Sequence, residues 1–250
     1  MRSGVFAVIG GRLCKDGKGL KWEKFVEAMF TNGGWQNVLE GLRNTLLVAV
    51  FGLIIGIAIG TLIAAVEVMP KYKRLPRVLN KICQFYVAFF RGTPLVVQLL
   101  VGFFVLRPML GLKISALSSC ILIYGMNSGA YVSEIMRGGI QSVDGGQMEA
   151  GRALGLSYAT TMLRIVIPQA VKNILPTLGN EFIALVKDTS VISFVGTADL
   201  YVAFKFIGTN NYEFMIPYLV MALIYIVMVL LITLGIHLME RSLKKSDRRH

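Results

Sequence analysis

The chain has 250 residues, 55% of them hydrophobic and only 16% charged, with a mean hydropathy of +0.64. Soluble domains carry about 25% charged residues, and here the apolar residues gather in runs of about 20, the length of helix that crosses ~30 Å of hydrocarbon, so a soluble globular protein is excluded. The net charge of +12 lies between those runs, where it reads as membrane topology and contact with anionic lipid rather than nucleic-acid binding.

Residues 1–21 are rich in Gly and Lys and read as a loose N-terminal arm; residues 22–250 read as a single transmembrane domain. The apolar stretch Val5 to Ile9 is too short for a signal peptide, and no small-residue cleavage site follows it. Trp22, Phe25, Val26, Met29 and Phe30 recur at helical spacing. They predict an amphipathic helix lying along the membrane interface, ended by Asn32-Gly33-Gly34.

Five spans follow, at about 44–66, 82–106, 114–136, 174–195 and 217–239. The first carries Gly52, Gly56 and Gly60, a small-xxx-small face that lets another helix approach closely. The second is interrupted by Arg91-Gly92-Thr93-Pro94, which frees backbone groups for a ligand. The fold class is therefore an all-α integral membrane protein. The segments 67–81 and 197–216 read as loops, and 137–173 as a long, more polar stretch.

Basic residues orient the spans. The segments 67–81 and 137–173 and the C-terminal tail hold fourteen Lys and Arg, against Arg107, Lys113 and Lys205 on the opposite side. This places the C-terminus in the cytoplasm and the N-terminus outside, although the N-terminal segment through Arg43 has seven basic residues of its own. The cysteines Cys14, Cys83 and Cys120 are far apart, as are His237 and His250, so no metal or redox site is predicted.

Residues 149–168 predict two short helices about a hinge. Glu149 to Leu154 are good helix formers, Gly155 suits the left-handed position that closes a helix, and Ser157 is a fair N-cap. Pro168 is expected to break the helical pattern before the fourth span. Too polar to span, this helix–turn–helix needs a partner over its apolar face.

These residues carry a family resemblance. Glu149, Ala150, Gly155, Ile165 and Pro168 stand at the spacing of the EAA loop of ABC importer permeases, with Gly151 and Ile167 as departures. Phe90-Arg91-Gly92-Thr93-Pro94-Leu95, with Gln98, resembles the signature of polar amino-acid permeases, the group of histidine, arginine and glutamine importers. So does Asn180-Glu181 with Leu185 to Ser190. The resemblance runs from about Leu39 to the tail. It implies the type I ABC importer permease fold, and a membrane subunit that moves polar or basic amino acids across the plasma membrane. It also implies three kinds of partner: a separate ATPase that binds ATP and Mg and docks on the EAA loop, a second permease subunit, identical or not, and an external substrate-binding protein.

Charges inside spans are costly, about 2.5–3.5 kcal/mol each at the centre of a lone helix. Arg91 in the second span and Glu181, Lys187 and Asp188 in the fourth therefore mark either a substrate route or interhelical pairing of Arg91 with Glu181 or Asp188. Thr177, Glu181, Ala184 and Asp188 share one helical face. On the first reading Arg91 takes a carboxylate bidentately, Glu181 takes an ammonium or a basic side chain, and Thr93, Lys187 and Asp188 complete the route. Glu134 and Arg137 read as a local i,i+3 pair. The chain has no phosphate-binding loop, since Gly17-Lys18 follows Gly11 at the wrong spacing, and no catalytic set. It is expected to be non-catalytic and to hold no cofactor of its own. A passive channel or a basic membrane scaffold would also explain the spans, but would leave residues 149–168 or the charges of the fourth span without a purpose.

Overall fold

A computed structural model describes residues 21–31, 33–69 and 74–247. The loose-arm reading of residues 1–20, the loop residues 70–73, the tail residues 248–250, Asn32 and Cys14 lie outside the described residues. Among the described residues the chain is helical, without strands. We number the helices α1 (21–31), α2 (Gly34–Val68), α3 (Arg74–Gly92), α4 (Leu95–Met109), α5 (Ala116–Gln141), α6 (Gly145–Ala153), α7 (Tyr158–Val195), α8 (Leu200–Asn211) and α9 (Met215–Asp247).

The centre of the bundle is the pair α2 and α5, which run parallel. A Cβ on Gly52 would lie 3.3 Å from Tyr124 Cβ, one on Gly56 2.7 Å from Ser128 Oγ, and one on Gly60 2.7 Å from the Ser133 backbone nitrogen. The small-xxx-small face thus packs as expected, and α5 answers it: Ile55 lies over Gly125 and Ile59 over Gly129. α7 crosses α5 in the opposite sense, since Asn173 reaches Ser142, Glu181 reaches Ser128, and the Tyr124 hydroxyl donates to the Asp188 carbonyl (2.6 Å). Val48, Ala49, Leu99, Cys120, Tyr124, Val186 and Ile192 form the core between these helices.

Among the described residues, only α2 and residues Met215–Leu243 of α9 are, singly, long and apolar enough to cross a membrane. The pair α3 and α4 qualifies together but is bent by 106° at Gly92-Thr93-Pro94, and α7 with α8 is bent by 57°. The 82–106 span is therefore no straight crossing. Its first helix also starts at Arg74, inside the segment read as a loop. α5 has Ser, Gly and Asn through its middle; it is wrapped by neighbours, with Ser128, Ala130, Val132 and Ser133 fully buried.

One end of the bundle gathers Val68, the C-terminus of α5, α6 and the start of α7, because the Tyr158 hydroxyl donates to the Val68 carbonyl at 2.7 Å. The other gathers α1, the N-terminus of α2, and α8, because Asn44 donates to the Ala198 carbonyl at 2.9 Å. The basic segments 74–81 and 137–173 thus share one end. Residues 197–216, read as a loop, instead contain α8, whose Leu200, Ala203, Phe204 and Ile207 are buried against Phe25 and Ala28 of α1. Polar residues interleaved with that apolar face hid it. α1 keeps Trp22, Val26 and Phe30 exposed, and Lys21 pairs with Glu213 at 3.0 Å, holding the Glu213 carboxyl below its usual range.

The helix was expected to break at Pro168; it does not. The turn Met162–Val166 is a π-turn, in which the Ile167 N–H bonds to the Met162 carbonyl, and the helix continues from Ile167. Proline has no N–H to give, and the widened turn just before it lets the axis carry on. α4 repeats the device: the π-turn Gly102–Leu106 stands just before Arg107-Pro108.

Candidate functional site

The charged residues of the bundle do not meet at one point. Arg91, at the end of α3, places Nη1 3.6 Å from Glu134 Oε2 and its guanidinium carbon 5.6 Å from the centre of the Tyr131 ring. Both partners stand on α5. Glu134 also accepts from Arg137, whose Nε lies 3.9 Å from Glu67. A charged ladder Arg91–Glu134–Arg137–Glu67 results, along a cavity of about 890 Å³ that is also lined by Asn80 and Gln84. A second cavity of about 350 Å³ touches Arg91, Tyr131 and Glu134 on one side and Asn173 and Thr177 of α7 on the other. One helical turn beyond Thr177, Glu181 accepts from Ser128 Oγ at 2.9 Å.

The break between α3 and α4 is held by side-chain hydrogen bonds. Gln98 Nε2 donates to the Phe90 carbonyl (2.8 Å), the Thr93 carbonyl (3.0 Å) and Thr93 Oγ1 (2.8 Å). Thr93 donates in turn to the Phe89 carbonyl, and Asn127 donates to Gln98 Oε1 at 2.8 Å. Gln98 thus already takes the Phe90 and Thr93 carbonyls, two of the backbone groups that the break was expected to free for a ligand. Thr93 holds the bend rather than lining either cavity.

The hinge of residues 149–168 forms as read. Asp144, missed in the sequence, caps α6 by accepting from Gly146 N, and Gly155 takes φ +82°. Ser157 caps α7 by accepting from Thr160 N at 3.1 Å. Gly151 is buried: a Cβ there would lie 2.5 Å from Thr161 Cγ2, so the threonine occupies the space that an alanine would need. Glu149, Ala150, Leu154 and Gly155 face outward, with Leu154 82% exposed. Burial raises the Tyr158 phenol above its ordinary value, which keeps it a donor.

Residues 52–245 match the family described as the binding-protein-dependent transport system inner membrane component. This chain belongs to that family. The permease is 38% identical over 210 residues to the arginine transport system permease protein ArtQ of Bacillus subtilis, covering 84% of this chain and 94% of that one. It is 37% identical over 206 residues to a putative glutamine transport system permease protein GlnP of Rickettsia bellii, covering 82% and 92%. A crystal structure of an amino acid ABC transporter with histidines superimposes with a TM-score of 0.76 at 38% identity, over 83% of this chain and 94% of that one. The MetNI methionine ABC transporter shares the fold, at a TM-score of 0.66 and 18% identity.

Within this permease the predicted route residues separate into four places, with Thr93 at the α3–α4 bend. Arg91 joins Tyr131 and Glu134 at the cavities. Glu181 stands above them on the α5–α7 seam. Lys187 and Asp188 sit exposed at the far end of α7, about two turns beyond Glu181. The pairing of Arg91 with Glu181 or Asp188 does not occur. Sequence reasoning missed Glu134 as the partner of Arg91, having assigned it wholly to Arg137; only the packing of α3 on α5 brings the two together.

Proposed function

We propose that this permease passes polar amino acids, with basic side chains favoured, between the two cavities walled by α5 and α7, powered by a separate ATPase. The observation that carries the reading is Arg91 beside Glu134 and over Tyr131, with Glu181 above. The guanidinium can exchange Glu134 for a substrate carboxylate, while Glu134, Tyr131 and Glu181 receive the cationic end. The names of the arginine and glutamine relatives support that substrate class. The exposed Glu149–Gly155 face is the surface an ATPase subunit would cover. A second permease subunit and an external binding protein complete the assembly, and the permease itself performs no chemistry. We place the end that holds Val68 and α6 in the cytoplasm, and α1 and α8 outside, on the balance of basic residues.

The test is ATP-dependent uptake of labelled arginine, glutamine and histidine, with leucine as control, by proteoliposomes holding the permease, its ATPase and its binding protein. Arg91→Ala should remove most uptake, and Glu181→Gln should lower arginine uptake more than glutamine uptake. Unchanged rates and selectivity in both variants, or wild-type uptake of none of arginine, glutamine and histidine, would refute the reading.

A further inference from the structure

Tyr158 stands at a junction that the family's loop pattern does not include. It is the first residue of α7, directly after the hinge at Gly155 and the cap at Ser157. Its backbone begins the helix that carries Asn173, Thr177 and Glu181, one wall of the proposed route. Its hydroxyl donates at 2.7 Å to the carbonyl of Val68, ninety residues away and the last residue of α2. That carbonyl is one of the four at a helix C-terminus with no partner inside the helix.

α2 in turn is locked to α5. Gly56 and Gly60 leave no room for a Cβ against Ser128 and Ser133, and Ile55 and Ile59 fill the spaces over Gly125 and Gly129. α5 carries Ser128, Tyr131 and Glu134, the opposite wall of the route. A displacement of α6 therefore reaches one wall through the backbone of α7. It reaches the other, α5, through the short connection at residues 142–144 and the Asn173–Ser142 bond, and it reaches α2, which braces α5, through the Tyr158 hydroxyl. The Tyr158 side chain also touches both the charged cavity and an apolar cavity of about 550 Å³ beside it.

We infer that Tyr158 is a positioning residue for energy coupling, its hydroxyl tying the hinge of the ATPase-docking segment to α2 so that both walls of the route move together. This rests on the transport reading above. The experiment compares wild type, Tyr158→Phe and Tyr158→Leu in proteoliposomes of the complete transporter, with ATP hydrolysis and amino-acid uptake measured on the same preparation. Tyr158→Phe should keep ATPase co-purification and hydrolysis while uptake per ATP falls roughly three- to tenfold, the range set by one hydrogen bond. Tyr158→Leu should fall at least as far. An unchanged ratio in Tyr158→Phe overturns the inference, and so does a loss of ATPase association, since no assembly role is assigned to the hydroxyl. Wild-type complex that hydrolyses ATP but moves no amino acid sinks the transport reading instead.

Discussion

The glycines of α2 offer a graded test of whether the α2–α5 pair is held by backbone proximity. Alanine at Gly52 would meet Tyr124 Cβ at 3.3 Å, a few tenths of an ångström inside an ordinary contact. At Gly60 the new methyl would stand 2.7 Å from the Ser133 backbone nitrogen and 2.7 Å from Val132 Cγ1, and a backbone atom cannot swing aside. Restoring an ordinary separation needs about 0.7 Å of helix displacement, and overpacking of this kind costs about 1–3 kcal/mol. For a chain of this size each kcal/mol moves the thermal midpoint by about 2–4 °C. In detergent micelles Gly60→Ala should therefore lower the midpoint by roughly 2–12 °C, Gly56→Ala by a similar amount, and Gly52→Ala by about 2 °C or less. The readout is the midpoint of each purified variant by intrinsic fluorescence. Equal midpoints for Gly52→Ala and Gly60→Ala would refute the reasoning, because the steric order would then not govern the pair.

Gly155→Asp should leave the protein inserted and expressed: no atom lies within 4 Å of the new Cβ, and the φ of +82° costs only about 1 kcal/mol. ATPase pull-down should weaken, and uptake with it. Gly151→Ala should lower the thermal midpoint, and Gly151→Ala with Thr161→Ala should recover most of it, because the threonine methyl is what an alanine would strike. Asp199, fully buried with its Oδ1 capping α8 at 2.7 Å from Val202 N, has its carboxyl pushed up to about 6 by burial. The folded state then favours the protonated form relative to an unfolded pKa near 3.9. Stability should be fully present below about pH 4 and decline as pH rises through 6, and Asp199→Asn, which keeps the capping oxygen, should flatten that part of the profile in a pH series of thermal melts.

Much of this was legible because it follows from local rules. The glycine face of α2, the Gly155 hinge and the Ser157 cap each depend on residues within one or two turns, and the structure places all three as read. The bend at Gly92-Thr93-Pro94 was legible as a break but not as an angle, since the 106° turn is set by Gln98 folding back onto Phe90 and Thr93. The partner of Arg91 was not legible: Glu134 had a satisfying neighbour at Arg137, and only the packing of α3 on α5 brings a second cation to it. α8 was hidden because polar residues interleave with its apolar face, although Leu200, Ala203, Phe204 and Ile207 recur at helical spacing. The change at Lys187 and Asp188 was not legible either: the fourth span was drawn straight through them, whereas the α-helical hydrogen bonding of α7 ends at Asp188 and tightens into a 3₁₀ turn.

The π-turn at Met162–Val166 also fixes the phase of everything after it. A π-turn takes up one residue more than the α-helical turn it replaces, so the helix beyond it keeps the phase of the helix before it. In an unbroken helix an extra residue would turn everything beyond it by about 100°, taking Glu181 away from Ser128 and Ile174 from its seat against Gly139. The turn therefore absorbs an insertion between the docking segment and the route, and removing Leu163 there should give an ordinary helix that leaves both walls in register, whereas the same deletion farther along α7 would misalign them.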